Sequence, residues 1–103
     1  MSRDRWRAEK AVLGIAQARY PSCGVFSFGA VDIDPAHLAI WITTATDVQR
    51  DVLRRDPGFL ARIRQALREV GYPAGAIDGV AVEVESQETV DRDHQGNWWN
   101  AVK

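Results

Sequence analysis

The spacing of apolar residues changes along this chain, and that change is what most constrains its fold. Residues 38–44 and the end of residues 77–85 alternate between apolar and less apolar side chains, as half-buried strands do. Between them, residues 57–70 carry apolar side chains at intervals of three or four, which is typical of one helix face. Apolar faces of strands and helices with these two periods are buried by packing against each other, so the pattern predicts two packed layers.

The N-terminal part adds a helix and a further strand. Residues 4–20 have helical spacing, and Pro21 is expected to end that helix because its ring lacks an N–H. Residues 25–33 are aromatic and β-branched, with Gly29 as a candidate bulge because both faces carry large apolar side chains. Residues 34–37 indicate a turn, so the first two strands should form an antiparallel hairpin.

Two helix starts follow the second strand. Thr46 and Gln49 fit a capping box, in which Gln49 reaches back to the Thr46 amide. Asp56 and Pro57 fit a second start, with the aspartate as the cap and the proline in the first turn. Residues 47–70 are therefore expected to form two helical pieces or one kinked helix, which Gly71 ends in a left-handed conformation.

The element order is helix, strand, strand, broken helix, strand and tail. It predicts an α+β fold, a two-layer sandwich with both helices on one face of a mixed sheet of three or four strands. The second and third strands should be parallel, since a helix crosses over between them. We expect residues 1–103 to be a single domain.

The tail, residues 86–103, is the segment richest in groups able to stack, hydrogen-bond or titrate. Ser86 suits the start of a short turn, residues 95–97 suit another turn, and residues 97–102 suit a short strand or a docked extended segment. The adjacent Trp98 and Trp99 are too apolar to remain in a frayed, solvent-exposed tail. The tail is therefore expected either to pack back on the sheet or to present a binding element.

Composition excludes several classes of protein. The net charge of -1 and pI near 6.1 give no overall basic field for nucleic acid. A lone Cys23 cannot form an internal disulfide, and no apolar run approaches the roughly 20 residues of a membrane span. We expect a small bacterial cytoplasmic protein that does not associate with membranes.

The sequence offers no recognisable catalytic, cofactor or metal motif. Asp91, Asp93 and His94 lie close together, but they lack the number and spacing of ligands in known metal sites. The glycines are isolated and form no phosphate-binding loop. We therefore predict no enzyme activity and no cofactor.

The favoured function is that of a protein-binding module, with another protein or a second copy of the chain as the partner. Some immunity proteins against toxic nucleases have a similar composition; this is an analogy with a class of proteins and not a match to a family. Tryptophan is enriched at binding hot spots, and acidic side chains on an open sheet face suit a basic partner. The predicted binding residues are Trp41, Glu83, Glu85, Asp91, Asp93, His94, Trp98 and Trp99. We expect one tail tryptophan to anchor in the core and the other to join Trp41 in a surface patch; burial of both is the alternative.

The alternative function is nucleic-acid binding. The element order resembles that of some KH-like domains, and the resemblance implies contact with a nucleic-acid backbone. The Gly-x-x-Gly clamp of those domains is absent here, which puts that function in doubt. The contact would instead use an arginine-rich helical face comprising Arg50, Arg54, Arg55, Arg62, Arg64 and Arg68.

Overall fold

The computed structural model describes residues 3–29 and 33–102, which form five α-helices and three strands. In chain order these are α1 (Arg3–Arg19), β1 (Gly24–Phe28), β2 (Ala39–Thr44), α2 (Asp47–Arg54), α3 (Pro57–Glu69), β3 (Ala81–Ser86), α4 (Gln87–Asp93) and α5 (Trp98–Val102). Short 3-10 helices, Pro35–His37 and Ala74–Gly79, precede β2 and β3. The order is that predicted from the sequence, with two helices added in the tail.

The sheet is mixed, and β2 is its central strand. β1 pairs with β2 in antiparallel orientation, and β3 pairs with β2 in parallel orientation. Both pairings follow from the connections, since a short turn joins β1 to β2 and two helices separate β2 from β3. The sheet has three strands in the described part of the chain.

One sheet face, the inner face, packs against the helices. Ile40 and Ile42 of β2 lie in register with Val82 and Val84 of β3 and are fully buried. The helices complete the core with Ala8, Val12 and Ala16 of α1, Leu53 of α2, and Phe59, Ile63 and Leu67 of α3. These residues form one apolar layer between helices and sheet, so the predicted α+β two-layer sandwich is confirmed.

The two predicted helix starts form, with one difference at the first. The Thr46 hydroxyl accepts from the Gln49 amide at 3.2 Å, and the Asp56 carboxylate accepts from the Phe59 amide at 3.1 Å. The Gln49 side chain, however, accepts from the Ala45 amide at 3.1 Å, rather than from Thr46 as expected for a capping box. The extended backbone of Thr46 brings this preceding amide within reach.

β1 is shorter than the predicted strand of residues 25–33. It stops before Gly29, which has a φ of 134°, where a Cβ atom would lie 2.1 Å from the carbonyl oxygen of His37. Only glycine fits this close approach, and the chain turns there. Ile33 is exposed and belongs to no strand, and the predicted positions 30–32 lie outside the described residues.

Two other segments that were predicted as extended are helical. Residues 77–79 belong to the second 3-10 helix, which buries Ile77 from a helical turn. Residues 98–102 form α5, and the Asn97 side chain accepts from the Asn100 amide at 3.3 Å. Both segments are too short to show a helical period in sequence, so their apolar side chains were indistinguishable from those of a strand.

Candidate functional site on the outer sheet face

The sheet face opposite α1 and α3, the outer face, carries a row of aromatic side chains. Phe26 of β1, Trp41 of β2 and Glu83 of β3 are neighbours in register across the three strands. The Phe26 and Trp41 rings are stacked, with centroids 6.3 Å apart. Phe28, two residues along β1, extends this surface and is 39% exposed. The outer face is therefore apolar along β1 and β2 and acidic on β3.

A polar cluster between α2 and α4 fixes the start of the tail. Asp47 accepts hydrogen bonds from the hydroxyls of Ser86 and Thr89, the latter at 2.7 Å, and from Arg92 at 3.0 Å. The Asp47 amide donates to Glu88 at 2.7 Å. The hydroxyl of Ser86 contributes most to lowering the pKa of Asp47 well below its usual range, followed by Thr89. Asp47 lies in the first turn of α2 and Glu88 in the first turn of α4, where the helix dipole favours negative charge.

α5 folds back onto the outer face after a tight turn. Gln95 and Gly96 adopt left-handed conformations, with φ of 53° and 76°. The Trp98 ring then meets Phe26 edge to face at 5.8 Å, and its Nε1 donates to the Gln87 side chain at 2.8 Å. The next residue, Trp99, remains 68% exposed. The tail thus uses one tryptophan as an anchor on the sheet and presents the other to solvent.

A groove of about 420 Å³ lies between α5 and the sheet. None of the described residues that line it is charged. They are Phe26, Phe28, Thr43, Trp98, Trp99 and Val102. The one hydroxyl among them belongs to Thr43, and its oxygen already accepts from the Gly24 amide at 2.9 Å. Such an aromatic, weakly polar concavity is suited to an apolar side chain rather than to a charged one.

The predicted binding residues divide between this groove, its surroundings and the polar cluster. Trp98 and Trp99 line the groove, and Trp41 and Glu83 continue the outer face beside it. Glu85 is also on β3, but it is held by Arg50 at 2.9 Å and lies 3.6 Å from Arg54. It is therefore already neutralised within the protein.

The remaining predicted residues lie in and after α4. Asp91 is exposed and accepts from the Gln87 side chain at 2.8 Å. Asp93 is exposed and 3.3 Å from Arg92, and His94 is half-buried at the end of α4. Among the described residues there is no group of three or more His, Cys, Asp or Glu side chains able to hold a metal ion.

Sequence reasoning missed five residues of the site: Phe26, Phe28, Thr43, Gln87 and Val102. Phe26 and Phe28 are two residues apart, so alternation along the predicted strand puts both on one face. This alternation did not show which face the helices cover, since apolar residues lie on both. No sequence signal indicated that Gln87 bonds an indole eleven residues later.

Three of the arginines considered for nucleic-acid contact bind the protein itself. Arg50 donates to Glu85 and, at 2.7 Å, to Thr89. Arg54 donates to the Val84 carbonyl at 2.9 Å, and Arg64 donates to the carbonyl of Ile77 at 2.7 Å. The other three arginines of this set are exposed: Arg55, Arg62 and Arg68. Arg62 lies 3.6 Å from Glu69.

Two arginine side chains, Arg54 and Arg5, cover part of the two sheet edges. The Ala81 amide donates to the carbonyl of Leu38, the residue before β2, at 3.0 Å. Backbone groups alternate in direction along a strand, so those of Val84, three residues after Ala81, point away from β2. The Arg54 side chain donates to this outward-pointing Val84 carbonyl. On the opposite edge, Arg5 donates to the Ser27 carbonyl of β1. An uncovered edge strand invites pairing with a second copy. Here the helices oppose that route at both edges.

A second concavity, of about 720 Å³, lies between α1 and α3. It is lined partly by small residues such as Gly14 and Ala18, and the ion pair between Arg19 and Asp56 crosses it at 2.8 Å. The hydrogen bond from Arg19 lowers the pKa of Asp56. These two charges are satisfied by each other.

No family model, no curated protein and no solved structure matches the chain. Within the described residues, no helix is both long enough and apolar enough to cross a membrane.

Proposed function

We propose that this chain is a small cytoplasmic protein-binding module that captures a segment of another protein in the groove between α5 and the outer sheet face. The groove and its surroundings hold four of the predicted binding residues: Trp41, Glu83, Trp98 and Trp99. Binding, rather than catalysis, suits a groove whose described lining offers no acid or base.

A single observation carries the proposal: large aromatic side chains remain open to solvent around one concavity. Phe28 and Trp99 both line the groove and are both more than one-third exposed. Burying aromatic surface is favourable by about 25 cal/mol per Å², so covering these two rings supplies binding free energy. Clustered aromatic surface of this kind marks interaction sites more often than scattered apolar residues do.

The nucleic-acid alternative receives less support from the geometry. Arg50, Arg54 and Arg64 already donate to acceptors of the protein, which leaves Arg55, Arg62 and Arg68 for phosphate contacts. Fluorescence anisotropy with labelled single-stranded RNA tests it, because phosphate contacts would make affinity fall steeply with salt.

A peptide-display selection tests the proposed function. A library of random twelve-residue peptides is selected on the wild-type chain, and each enriched peptide is measured against Trp99→Ala and Phe28→Ser. We expect both substitutions to weaken binding at least tenfold, since they remove groove walls. Arg62→Ala, on the α1–α3 concavity, is the matched control and should leave affinity unchanged.

Two results would refute this proposal. Enriched peptides that bind both groove variants as well as the wild type would place recognition elsewhere. Sedimentation velocity that shows self-association lost in Trp99→Ala would make a second copy, rather than another protein, the occupant. Urea unfolding of each variant shows whether a lost affinity reflects a lost fold.

A further inference from the structure

Two acidic side chains near the groove are not neutralised by the protein. Glu83 lies beside Trp41 in the register of the sheet, and Asp91 is bonded to Gln87, the residue that holds Trp98. Neither carboxylate forms an ion pair with any residue in the described part of the chain, whereas Glu85 has arginine partners. The outer face therefore combines an apolar groove with unpaired negative charge on one side.

We propose that the partner segment carries an apolar anchor for the groove and a lysine or arginine that rests over Trp41 beside Glu83. This inference rests on the proposed function and adds the chemistry of the partner. A guanidinium or ammonium group is attracted both by the face of an indole ring and by a neighbouring carboxylate. Trp41 is half-buried and stacked on Phe26, so its ring is already held in place.

The strand order fixes the separation of the two contacts. The groove lies over β1 and reaches Thr43 of β2, whereas Trp41 lies on β2 and Glu83 on β3. Neighbouring strands are about 4.8 Å apart, so a cation over Trp41 and beside Glu83 lies roughly 5 to 10 Å from an anchor over β1. An extended segment advances about 3.3 Å per residue, so the cation is expected about two or three residues from the anchor.

The charge contact should contribute a modest and salt-sensitive part of the affinity. Contacts of this kind at exposed sites, a cation on an aromatic ring and a surface ion pair, together change binding by roughly tenfold. Most of the affinity would still come from the buried anchor. The contribution of the cation should shrink when salt screens exposed charges.

Peptides from the same display selection test this inference. An enriched peptide is synthesised in two forms, one with its basic residue and one with glutamine in that place. Fluorescence polarisation measures both forms on the wild type, on Glu83→Gln and on the control Glu69→Gln, which alters an exposed carboxylate of α3. We expect the basic form to bind the wild type and Glu69→Gln roughly tenfold more tightly, and this preference to fall to about threefold on Glu83→Gln, which keeps only the contact with the Trp41 ring.

Each outcome decides between the two proposals. Peptides that depend on Trp99 but carry no basic residue, or whose preference is undiminished on Glu83→Gln, overturn this inference and leave the groove as a protein-binding site. A selection that yields no Trp99-dependent peptide overturns both. A preference for the basic peptide that is reduced on Glu83→Gln but not on Glu69→Gln supports both.

Discussion

Replacing Trp98 with alanine should free α5 from the outer face while the rest of the fold stays intact. Trp98 is half-buried, and it is the α5 residue with a ring contact to the sheet and a side-chain hydrogen bond to α4. None of the five α5 residues, all of them described, is fully buried. Docking of this helix therefore depends largely on one side chain.

The expected magnitude follows from the contacts of this indole. Burying about 150 Å² of its surface contributes about 4 kcal/mol. The edge-to-face contact and the hydrogen bond to Gln87 contribute about 1 kcal/mol each. Against this, fixing the backbone of five residues costs about 5 kcal/mol or somewhat more. The docked and released states of α5 are thus nearly balanced.

The Trp98→Ala variant should consequently lose only about 1 kcal/mol of unfolding free energy, since the released segment regains its conformational entropy. Urea unfolding followed by circular dichroism measures the global change. Amide hydrogen exchange at Ala101, which donates to Asn97 at 3.3 Å, reports α5 itself and should lose its protection. Trp99→Ala is the matched control, because its exposed ring should leave that protection unchanged.

Unchanged protection of Ala101 in Trp98→Ala would show that other contacts hold α5. A loss of 3 kcal/mol or more, about the cost of truncating a core residue, would show that the tail belongs to the cooperative core. Either result would refute the view of α5 as a weakly docked helix.

Three further substitutions test the fold and its polar cluster. Leu53→Ala should cost about 3 kcal/mol in urea unfolding because it empties a fully buried site, whereas Val48→Ala, at a position 72% exposed, should cost under about 0.5 kcal/mol. Arg64→Met should cost about 1 kcal/mol in the same assay because it removes bonds to two backbone carbonyls before β3, and the control Arg68→Met should be nearly neutral. The lowered pKa of Asp47 means that its charge stabilises the folded state above the usual carboxyl pKa of 3.8 and that this stability is lost as pH falls below it. The melting temperature of the wild type should therefore drop more between pH 5 and pH 2 than that of Asp47→Asn; equal drops would contradict this role.

The sequence predicted the layers of this fold because its core positions follow clear periods. Ile40 and Ile42 alternate in β2, and Ile63 and Leu67 recur on α3, so each element showed which side it buries. The starts of α2 and α3 were readable for the same reason, since capping by Thr46 and Asp56 is a local interaction.

The site was predicted less completely because its geometry is not local. Nothing near Glu85 in sequence shows that Arg50, thirty-five residues earlier, would neutralise it, whereas Glu83 of the same strand remains unpaired among the described residues. The groove depends on how α5 meets β1, and the adjacent pair Trp98 and Trp99 has no period that could reveal a helix. The tryptophans were identified, but the phenylalanines opposite them were not.

The side chains that occupy the sheet margins also limit how this protein can assemble. Arg54 of α2 and Arg5 of α1 take up carbonyls of β3 and β1 that an incoming strand would need. The proposed partner segment would therefore lie across the aromatic surface rather than along a strand edge, so that one occupant fills the groove and leaves no edge for the next. Complexes of this chain should saturate at a fixed stoichiometry instead of growing into fibres as concentration rises.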